Sequence, residues 1–170
     1  GNADQGTLSV IGGMVRNHGG IGIATFGVAL ALDDALQVRN NASGGVRVDG
    51  GLVSIGDCTI TENDLFGVYG IGAELELLYT VIQKTTGEPG YGVWADQSVL
   101  TASDVSVTEN EGTGLYLTES SSVLNSSDAD GQELVVSSNE GDGFCSLGGS
   151  SVSISGGTFS DNVEANVRIE

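Results

Sequence analysis

The stretch from Gly92 to Asn110, GVWADQSVLTASDVSVTEN, sets the fold because it contains three short runs with an apolar residue at every second position. Alternation with a period of two is typical of a strand that buries one face. Small polar turns separate the runs, and an Asn closes the third. The inward residues predicted for the three runs are, in pairs, Val93/Ala95, Val99/Thr101 and Val105/Val107.

The opening phrase of this stretch, a Gly followed by apolar, variable and apolar residues, recurs along the whole chain. Successive copies lie 25, 22, 25, 22, 29 and 23 residues apart, which is the signature of a repeat architecture. The copies begin at Gly20, Gly45, Gly67, Gly92, Gly114 and Gly143, and a last copy has Asn166 in the Gly place.

An Asn that follows an apolar strand recurs with the same period. Only the repeat near Lys84 and Thr85 lacks it. We expect Asn to tolerate left-handed backbone at a tight corner, and stacked Asn amides to hydrogen-bond between repeats. The members of this predicted ladder are Asn17, Asn41, Asn63, Asn110, Asn139 and Asn162.

Two ladders with one period predict a chain that winds round once per 22 to 29 residues. Strands of three to five residues cannot bury their apolar face alone, but stacked copies about 4.8 Å apart form parallel sheets around a common core. The sequence therefore predicts an all-β fold: a right-handed parallel β-helix of about seven coils, with three short strands per coil.

The Gly-apolar-x-apolar phrase and the corner Asn resemble the right-handed parallel β-helix proteins of the pectin-lyase-like superfamily, over residues 7–170. The resemblance implies a fold more than an activity, since that superfamily includes lyases, hydrolases, phage tailspikes, adhesins and non-catalytic surface domains. We expect residues 1–6 to be a loose segment and residues 7–170 to be one domain. Because neither end shows polar capping elements, we also expect the domain to be part of a longer chain.

Charge and composition limit the partners. The chain has 5 Lys and Arg against 23 Asp and Glu, a net charge of -18, which disfavours nucleic acid and anionic membranes. No stretch approaches the ~20 apolar residues of a membrane helix. End-to-end or edge self-association is compatible with a solenoid.

The two cysteines and the single histidine carry weak signals for chemistry. Cys58 is predicted to point inward and Cys145 outward, about three rungs apart, too far for a disulfide. Both are therefore expected to be free, with Cys58 filling the core. His18 has no second His or Cys near it in sequence, so a turn residue is favoured over a metal ligand or a base.

The outward position of the repeated phrase predicts a stripe on one outer sheet, because side chains alternate across a strand. A row of aromatics on a solvated sheet is suited to stacking the apolar faces of sugars, and Tyr69, Trp94, Tyr116 and Arg47 are the predicted ligand-binding residues. The alternative is that the rings stack on one another and stabilise the sheet. The stripe comprises Gly22, Arg47, Tyr69, Trp94, Tyr116, Cys145 and Arg168.

Two carboxylates follow the stripe. Asp49 and Asp96 are predicted to stand two rungs apart, about 9.6 Å, near the upper limit for the acid and base of an inverting glycosidase. Arg47 is the only candidate base on that face. The resemblance implies clustered Asp with an Arg or Lys base in lyases, and several Asp with a His in pectin hydrolases. Ile71 interrupts the pair and no His is near, so surface carboxylates are the simpler interpretation.

The longest insertion, residues 126–133, contains Asp128 and Asp130, which could bind Ca²⁺ through carboxylates and a carbonyl. It lacks the spacing and the final Glu of an EF-hand loop, so no cofactor is expected beyond this calcium candidate. Asn41-Ala42-Ser43 and Asn125-Ser126-Ser127 match glycosylation acceptors.

Two classes of function follow from these features. The first is a non-catalytic secreted or cell-surface module that is structural or binds an extended polysaccharide through the aromatic stripe. The second is a polysaccharide lyase or inverting glycoside hydrolase centred on Arg47, Asp49 and Asp96.

Overall fold

The computed structural model describes residues 7–126 and 133–170, and these residues form a parallel β-solenoid of about seven turns. Its described residues contain strands, bends and turns and no helix. The architecture fits a right-handed parallel β-helix, so the predicted fold class is confirmed.

The described residues form 19 strands. Their bounds are β1 Thr7–Ile11, β2 Met14–Arg16, β3 Ile21–Phe26, β4 Ala29–Asp33, β5 Gln37–Arg39, β6 Gly44–Gly56, β7 Thr59–Thr61, β8 Asp64–Leu78, β9 Val81–Gln83, β10 Thr86–Asp96, β11 Val99–Ser103, β12 Ser106–Thr108, β13 Leu115–Thr118, β14 Ser121–Asn125, β15 Val135–Ser137, β16 Phe144–Leu147, β17 Ser151–Ser155, β18 Thr158–Ser160 and β19 Val167–Ile169.

Each strand pairs in parallel with its counterpart one coil further on. The larger sheet has 12 strands and follows the order β1-β4-β6-β8-β10-β13-β16-β19, with β3, β11, β14 and β17 attached beside this path. The smaller sheet has seven strands in the order β18-β15-β12-β9-β7-β5-β2. β6 continues through a corner at which later coils are divided into two strands, as β10 and β11 are. Gly50 and Gly51 permit the bend in β6, with φ of 69° and 89°.

The core lies inside the coil and contains the inward residues of every strand. Val93, Ala95, Val105 and Val107 are all fully buried, as predicted. The prediction for the middle strand was wrong by one residue, because Leu100 and Ala102 are buried whereas Val99 is 44% exposed. The cause is the turn before this strand. Gln97 there is left-handed, and Ser98 turns its hydroxyl to the carbonyl of Asp96.

The Asn ladder is a column of amides that is buried from Asn41 to Asn139 and half-buried at Asn162. Asn110 Nδ2 donates to Asn139 Oδ1 over 2.8 Å, and Asn139 Nδ2 donates to Asn162 Oδ1 over 2.9 Å. Each acceptor also takes the backbone N–H of the preceding Asn, as Asn63 Oδ1 does for Asn41 over 3.1 Å. A buried peptide N–H without a hydrogen-bond partner is energetically costly. The ladder stabilises the fold because its amide oxygens accept from corner N–H groups that strand pairing does not reach.

Two details of the predicted ladder were wrong. The left-handed residue at the corner is the one before each ladder Asn, as Glu109 shows with φ of 56° before Asn110. Asn17, with φ of 57°, belongs to that left-handed set, and His18 occupies the ladder place in the first coil. His18 donates its backbone N–H to Asn41 Oδ1 over 3.1 Å, so this place needs a peptide N–H there and no amide side chain.

The recurring Gly is required by space and not by backbone conformation. A Cβ on Gly45 would lie 2.5 Å from the carbonyl oxygen of Gly67 and 3.1 Å from Asn63 Nδ2, and a Cβ on Gly92 would meet Gly114 and Asn110 in the same way. In the first coil this place is held by Gly22, two residues after the predicted Gly20, because Ile23 pairs with Val46.

A second buried ladder, made of hydroxyls, escaped the sequence analysis. Ser98 Oγ accepts from the N–H of Ala73 over 3.0 Å, Ser120 Oγ from Ser98, and Ser150 Oγ from Ser120. Short Ser side chains reach backbone at the corner between the first and second strands of a coil, as Asn does at the corner after the third strand. Ser is so common in this chain that its spacing gave no signal.

Thr85 takes the place of Asn in one rung, and its N–H donates to Asn110 Oδ1 over 3.0 Å. We expect Thr85→Asn to raise the free energy of unfolding by about 1 kcal/mol, because the new amide would join Asn63 to Asn110 beside Gly67. Urea denaturation measures the change.

Thr85→Val is the matched control, since it removes the hydroxyl and adds no amide, and it should give no gain. Destabilisation by Thr85→Asn, with Thr85→Val near wild type, would show that this rung has no room for the ladder.

Candidate functional site

The predicted stripe is one column of outward side chains in the larger sheet. Arg47 pairs with Tyr69, Tyr69 with Trp94, and Trp94 with Tyr116. Tyr116 is followed by Cys145 and Arg168. The first coil differs from the prediction, because Ala24 pairs with Arg47 and Gly22 lies in the Gly column. The fold thus brings the four predicted ligand-binding residues side by side.

The rings of the stripe stack on one another. Tyr69 and Trp94 have centroids 4.2 Å apart and planes inclined by 17°. Trp94 meets Tyr116 edge to face at 6.3 Å. The other side of Tyr69 faces Arg47, whose guanidinium carbon lies 5.7 Å from the ring centroid. Both faces of Tyr69 are therefore in use, and its half-exposed edge is what meets solvent.

Two further rings join the cluster, and sequence reasoning missed both. Tyr91 stacks on Tyr116 at 4.5 Å and meets Trp94 edge to face at 5.6 Å, while Phe66 packs against Tyr69 at 5.4 Å. Phe66 and Tyr91 pair with each other one position before the Gly column. The signal was available in the sequence, since each precedes its Gly directly, but they fall outside the alternating phrase. Below, the aromatic cluster means Phe66, Tyr69, Tyr91, Trp94 and Tyr116.

Burial also shapes the polar atoms of the aromatic cluster. It raises the pKa of the hydroxyls of Tyr69, Tyr91 and Tyr116, so these groups stay neutral hydrogen-bonding groups at ordinary pH. Trp94 Nε1 is buried and has no hydrogen-bond partner among the described residues. The cluster therefore offers ring edges and hydroxyls, whereas most of its ring faces are covered.

Arg47 is held by Asp49 in a two-bonded ion pair. Nε donates to Oδ1 over 2.9 Å and Nη2 donates to Oδ2 over 3.0 Å. The hydrogen bond to Asp49 raises the pKa of Arg47 above its ordinary value. Since a base must give up its proton first, this pairing works against the base role that was considered for Arg47.

Asp49 and Asp96 stand in one column with Ile71 between them, as predicted. Two strand spacings separate them, about 9.6 Å. Asp96 Oδ1 accepts the hydroxyl of Thr118 over 2.9 Å. Each carboxylate is thus bound by a neighbour on the same face, and a catalytic role for Asp49 and Asp96 stays a prediction.

Cys145 lies at an outward strand position, as predicted, yet it is fully buried. Arg168 covers it, with Nε and Nη2 lying 3.4 and 3.5 Å from Sγ. Arg168 Nη2 also forms an ion pair of 2.7 Å with Asp142, whose side chain is 1% exposed. Burial raises the pKa of the Cys145 thiol despite the opposing effect of Arg168.

Cys58 is an inward core residue, and both cysteines are free, in agreement with the prediction. Its Sγ donates to the carbonyl oxygen of Gly56 over 3.0 Å. Burial is the main cause that raises the pKa of Cys58 to about 11. Neither thiol has the lowered pKa of a nucleophile.

The remaining candidates lie apart from the aromatic cluster. His18 is in the connection between β2 and β3, where its Nδ1 accepts from the N–H of Gly20 over 3.1 Å. Asp128 and Asp130 lie outside the described residues. Within residues 7–126 and 133–170, no group of three or more His, Cys, Asp or Glu side chains could hold a metal ion. Asn41 is 1% exposed in the ladder, which leaves its amide inaccessible to glycosylation in the folded chain.

Comparisons with protein-family models, with curated proteins and with solved structures gave no match. The described part of the chain contains no helix with the length and hydropathy that crossing a bilayer requires.

The stacking of Tyr69 on Trp94 predicts an energetic coupling between them. In a double-mutant cycle with Tyr69→Ala and Trp94→Ala, we expect a coupling free energy of about 1 kcal/mol, as for other stacked aromatic pairs. Chemical denaturation of the four proteins measures it.

Tyr79 provides the control for this cycle, because none of the aromatic contacts of the described chain involves it. A cycle between Tyr79→Ala and Trp94→Ala should give no coupling. Equal coupling in both cycles would contradict a specific stack.

Burial and raised pKa values predict unreactive thiols. At pH 8, a thiol with the pKa of Cys58, about 11, has about 200-fold less thiolate than an ordinary cysteine. We expect Cys58 to react with a disulfide reagent at least about 100-fold more slowly than glutathione, and Cys145, which is buried beneath Arg168, to react more slowly than glutathione as well.

Cys58→Ser and Cys145→Ser separate the two thiols, and guanidinium-unfolded protein should react with two equivalents at the ordinary rate. A fast equivalent in folded Cys58→Ser protein would show that Arg168 leaves Cys145 accessible.

Proposed function

We propose that the protein is a non-catalytic structural module, a rigid β-helix that serves an extracellular or cell-surface protein as a spacer. The observation that carries the proposal is that the groups suited to binding or catalysis are engaged with one another. Tyr69 lies between Arg47 and Trp94, Arg47 holds Asp49, and Thr118 donates to Asp96. Such internal satisfaction favours a stabilising face over a site that awaits a substrate.

The stacked coils support a spacer role. About seven turns at 4.8 Å per rung extend over about 34 Å, and each turn is linked to the next by sheet hydrogen bonds and by the two buried ladders. A solenoid of this kind bends little, because shearing one coil past another breaks both ladders. The net charge of -18 keeps such a module soluble and away from anionic surfaces.

Binding of an extended neutral glycan is the second candidate, and one observation favours it. Trp94 Nε1 is a buried donor with no partner among the described residues, at the centre of five clustered rings. A sugar hydroxyl could accept from it only if the ring turned outward. The polysaccharide lyase or hydrolase implied by the pectin-lyase-like resemblance has weaker support, because Asp49 holds the guanidinium of Arg47.

A panel of neutral and acidic polysaccharides separates these functions, with fluorescence of the single Trp94 as the binding signal and reducing-end or unsaturated products as the activity signal. For a structural module we expect no saturable fluorescence change and no product. Atomic-force stretching should then show a high, cooperative unfolding force that Trp94→Ala lowers.

Two variants show which residues are responsible if binding or product formation is observed. Saturable quenching that Tyr116→Ala abolishes would replace the spacer by a glycan binder. Products that Asp96→Asn abolishes, while the control Asp57→Asn at an exposed turn retains them, would replace it by an enzyme.

A further inference from the structure

The outer face of the seven-stranded sheet differs from the rest of this acidic molecule. Every strand of that sheet has three residues, of which the middle one points inward and the first and last point outward. None of these outward positions is acidic, and the only charges are Arg16 and Arg39. The first column is Met14, Gln37, Thr59, Val81, Ser106, Val135 and Thr158; the second is Arg16, Arg39, Thr61, Gln83, Thr108, Ser137 and Ser160.

Arg16 and Arg39 are direct neighbours in that second column. β2 and β5 place them opposite each other in register, with Val15 and Val38 between the columns pointing inward. Adjacent strands lie about 4.8 Å apart, so two like charges share one face of a parallel pair, an arrangement that costs stability. The fold does not require arginine at this position, since Gln, Thr and Ser fill the same column in the later coils.

The other three cations of the chain behave differently. Arg47 pairs with Asp49 at 2.9 Å, Lys84 with Glu109 at 3.8 Å, and Arg168 with Asp142 at 2.7 Å. Arg16 and Arg39 have no ion pair with any acid in residues 7–126 and 133–170. The protein has 23 acidic residues and only 5 basic ones, so acidic partners are plentiful, yet these two arginines are without one among the described residues.

Arg39 also has a donor without an acceptor. Its Nε is buried and makes no hydrogen bond with the described residues, although the side chain as a whole is half-buried. Removing a guanidinium N–H from water without a partner is unfavourable. Nε and one Nη of a guanidinium form a planar pair of donors that suits the two oxygens of a carboxylate, phosphate or sulfate.

We propose that Arg16 and Arg39 form a binding site for a single oxyanion group, a carboxylate, a phosphate or a sulfate. Two adjacent guanidinium groups supply the charge, and the uncharged Thr61 and Gln83 continue the column with hydrogen-bonding groups. Arg39 Nε, which is buried and unsatisfied, becomes a donor to the anion when the guanidinium turns toward it. The net charge of -18 repels a densely charged polyanion, so the ligand carries isolated negative groups. This site lies on a different sheet from the aromatic cluster and does not depend on the proposed spacer role.

Nuclear magnetic resonance tests the site directly, because the chain has four arginines and therefore four Nε–H signals: Arg16, Arg39, Arg47 and Arg168. Inorganic phosphate, inorganic sulfate and acetate are titrated separately at constant ionic strength set with NaCl. We expect the Arg16 and Arg39 signals to shift together and saturably, while those of Arg47 and Arg168 stay in place. The anion with the tightest binding identifies the oxyanion class.

Variants distinguish a site from general electrostatics. Arg39→Gln should abolish the saturable shift of Arg16, and Arg39→Lys should weaken binding about fivefold, since the charge remains but the paired donors are lost. Lys84→Gln removes the same unit of charge elsewhere and should leave the affinity unchanged. Backbone spectra verify folding, and Arg16→Gln read at Arg39 replaces Arg39→Gln if that variant unfolds. Equal, unsaturable shifts at all four arginines, or no shift for any anion, would overturn the proposal.

Discussion

The need to satisfy buried backbone at the corner of every coil is the constraint on which the structure depends. At these corners the chain leaves one sheet for the next, so strand pairing cannot supply all partners. Asn amides take over, as Asn110 Oδ1 does for the N–H of Thr85 and Asn139 Oδ1 for that of Asn110. A Cβ at the facing position would collide with the carbonyl oxygen of the next coil and with an inward side chain, and in most coils it would also crowd the amide column, and this is why that position is Gly. Asn and Gly therefore serve the same tight corner, although Thr85 stands in the Asn place beside Gly67.

Stacking in register has a second consequence, which concerns the outside of the coil. Because each strand lies over its counterpart, each outward position becomes a column with its own chemistry. One column puts Tyr69 and Trp94 in contact at 4.2 Å, and another puts Arg16 beside Arg39. The first satisfies itself by stacking, whereas the second leaves like charges and a buried Nε unpaired. The same geometry thus produces a face whose rings stack on one another, although Trp94 Nε1 has no partner there among the described residues, and a face whose two arginines have no ion pair among them.

Errors in the sequence interpretation came from places where local pattern and coil register differ. Val99 and Thr101 alternate as well as Leu100 and Ala102 do, and only the left-handed turn at Gln97 decides which pair points inward. Gly20 and Gly22 both begin an apolar phrase, and only the pairing of Ile23 with Val46 selects Gly22. Phe66 and Tyr91 were not assigned to the aromatic cluster, because alternation says nothing about a residue before the Gly, and their shared place before the Gly was not used.

The sequence by itself determined the winding, because period, inward residues and corner Asn are local and repeat often enough to fix one architecture. It also placed Arg47, Tyr69, Trp94 and Tyr116 in one column, since register follows from the repeat. Tertiary structure decided what those side chains do. Side-chain directions and distances between coils decide whether the rings face solvent or each other. They also decide whether Arg168 covers Cys145 and whether an arginine forms an ion pair. A sequence repeat specifies which residues are neighbours in adjacent coils. The contacts that their side chains make are decided by packing in three dimensions.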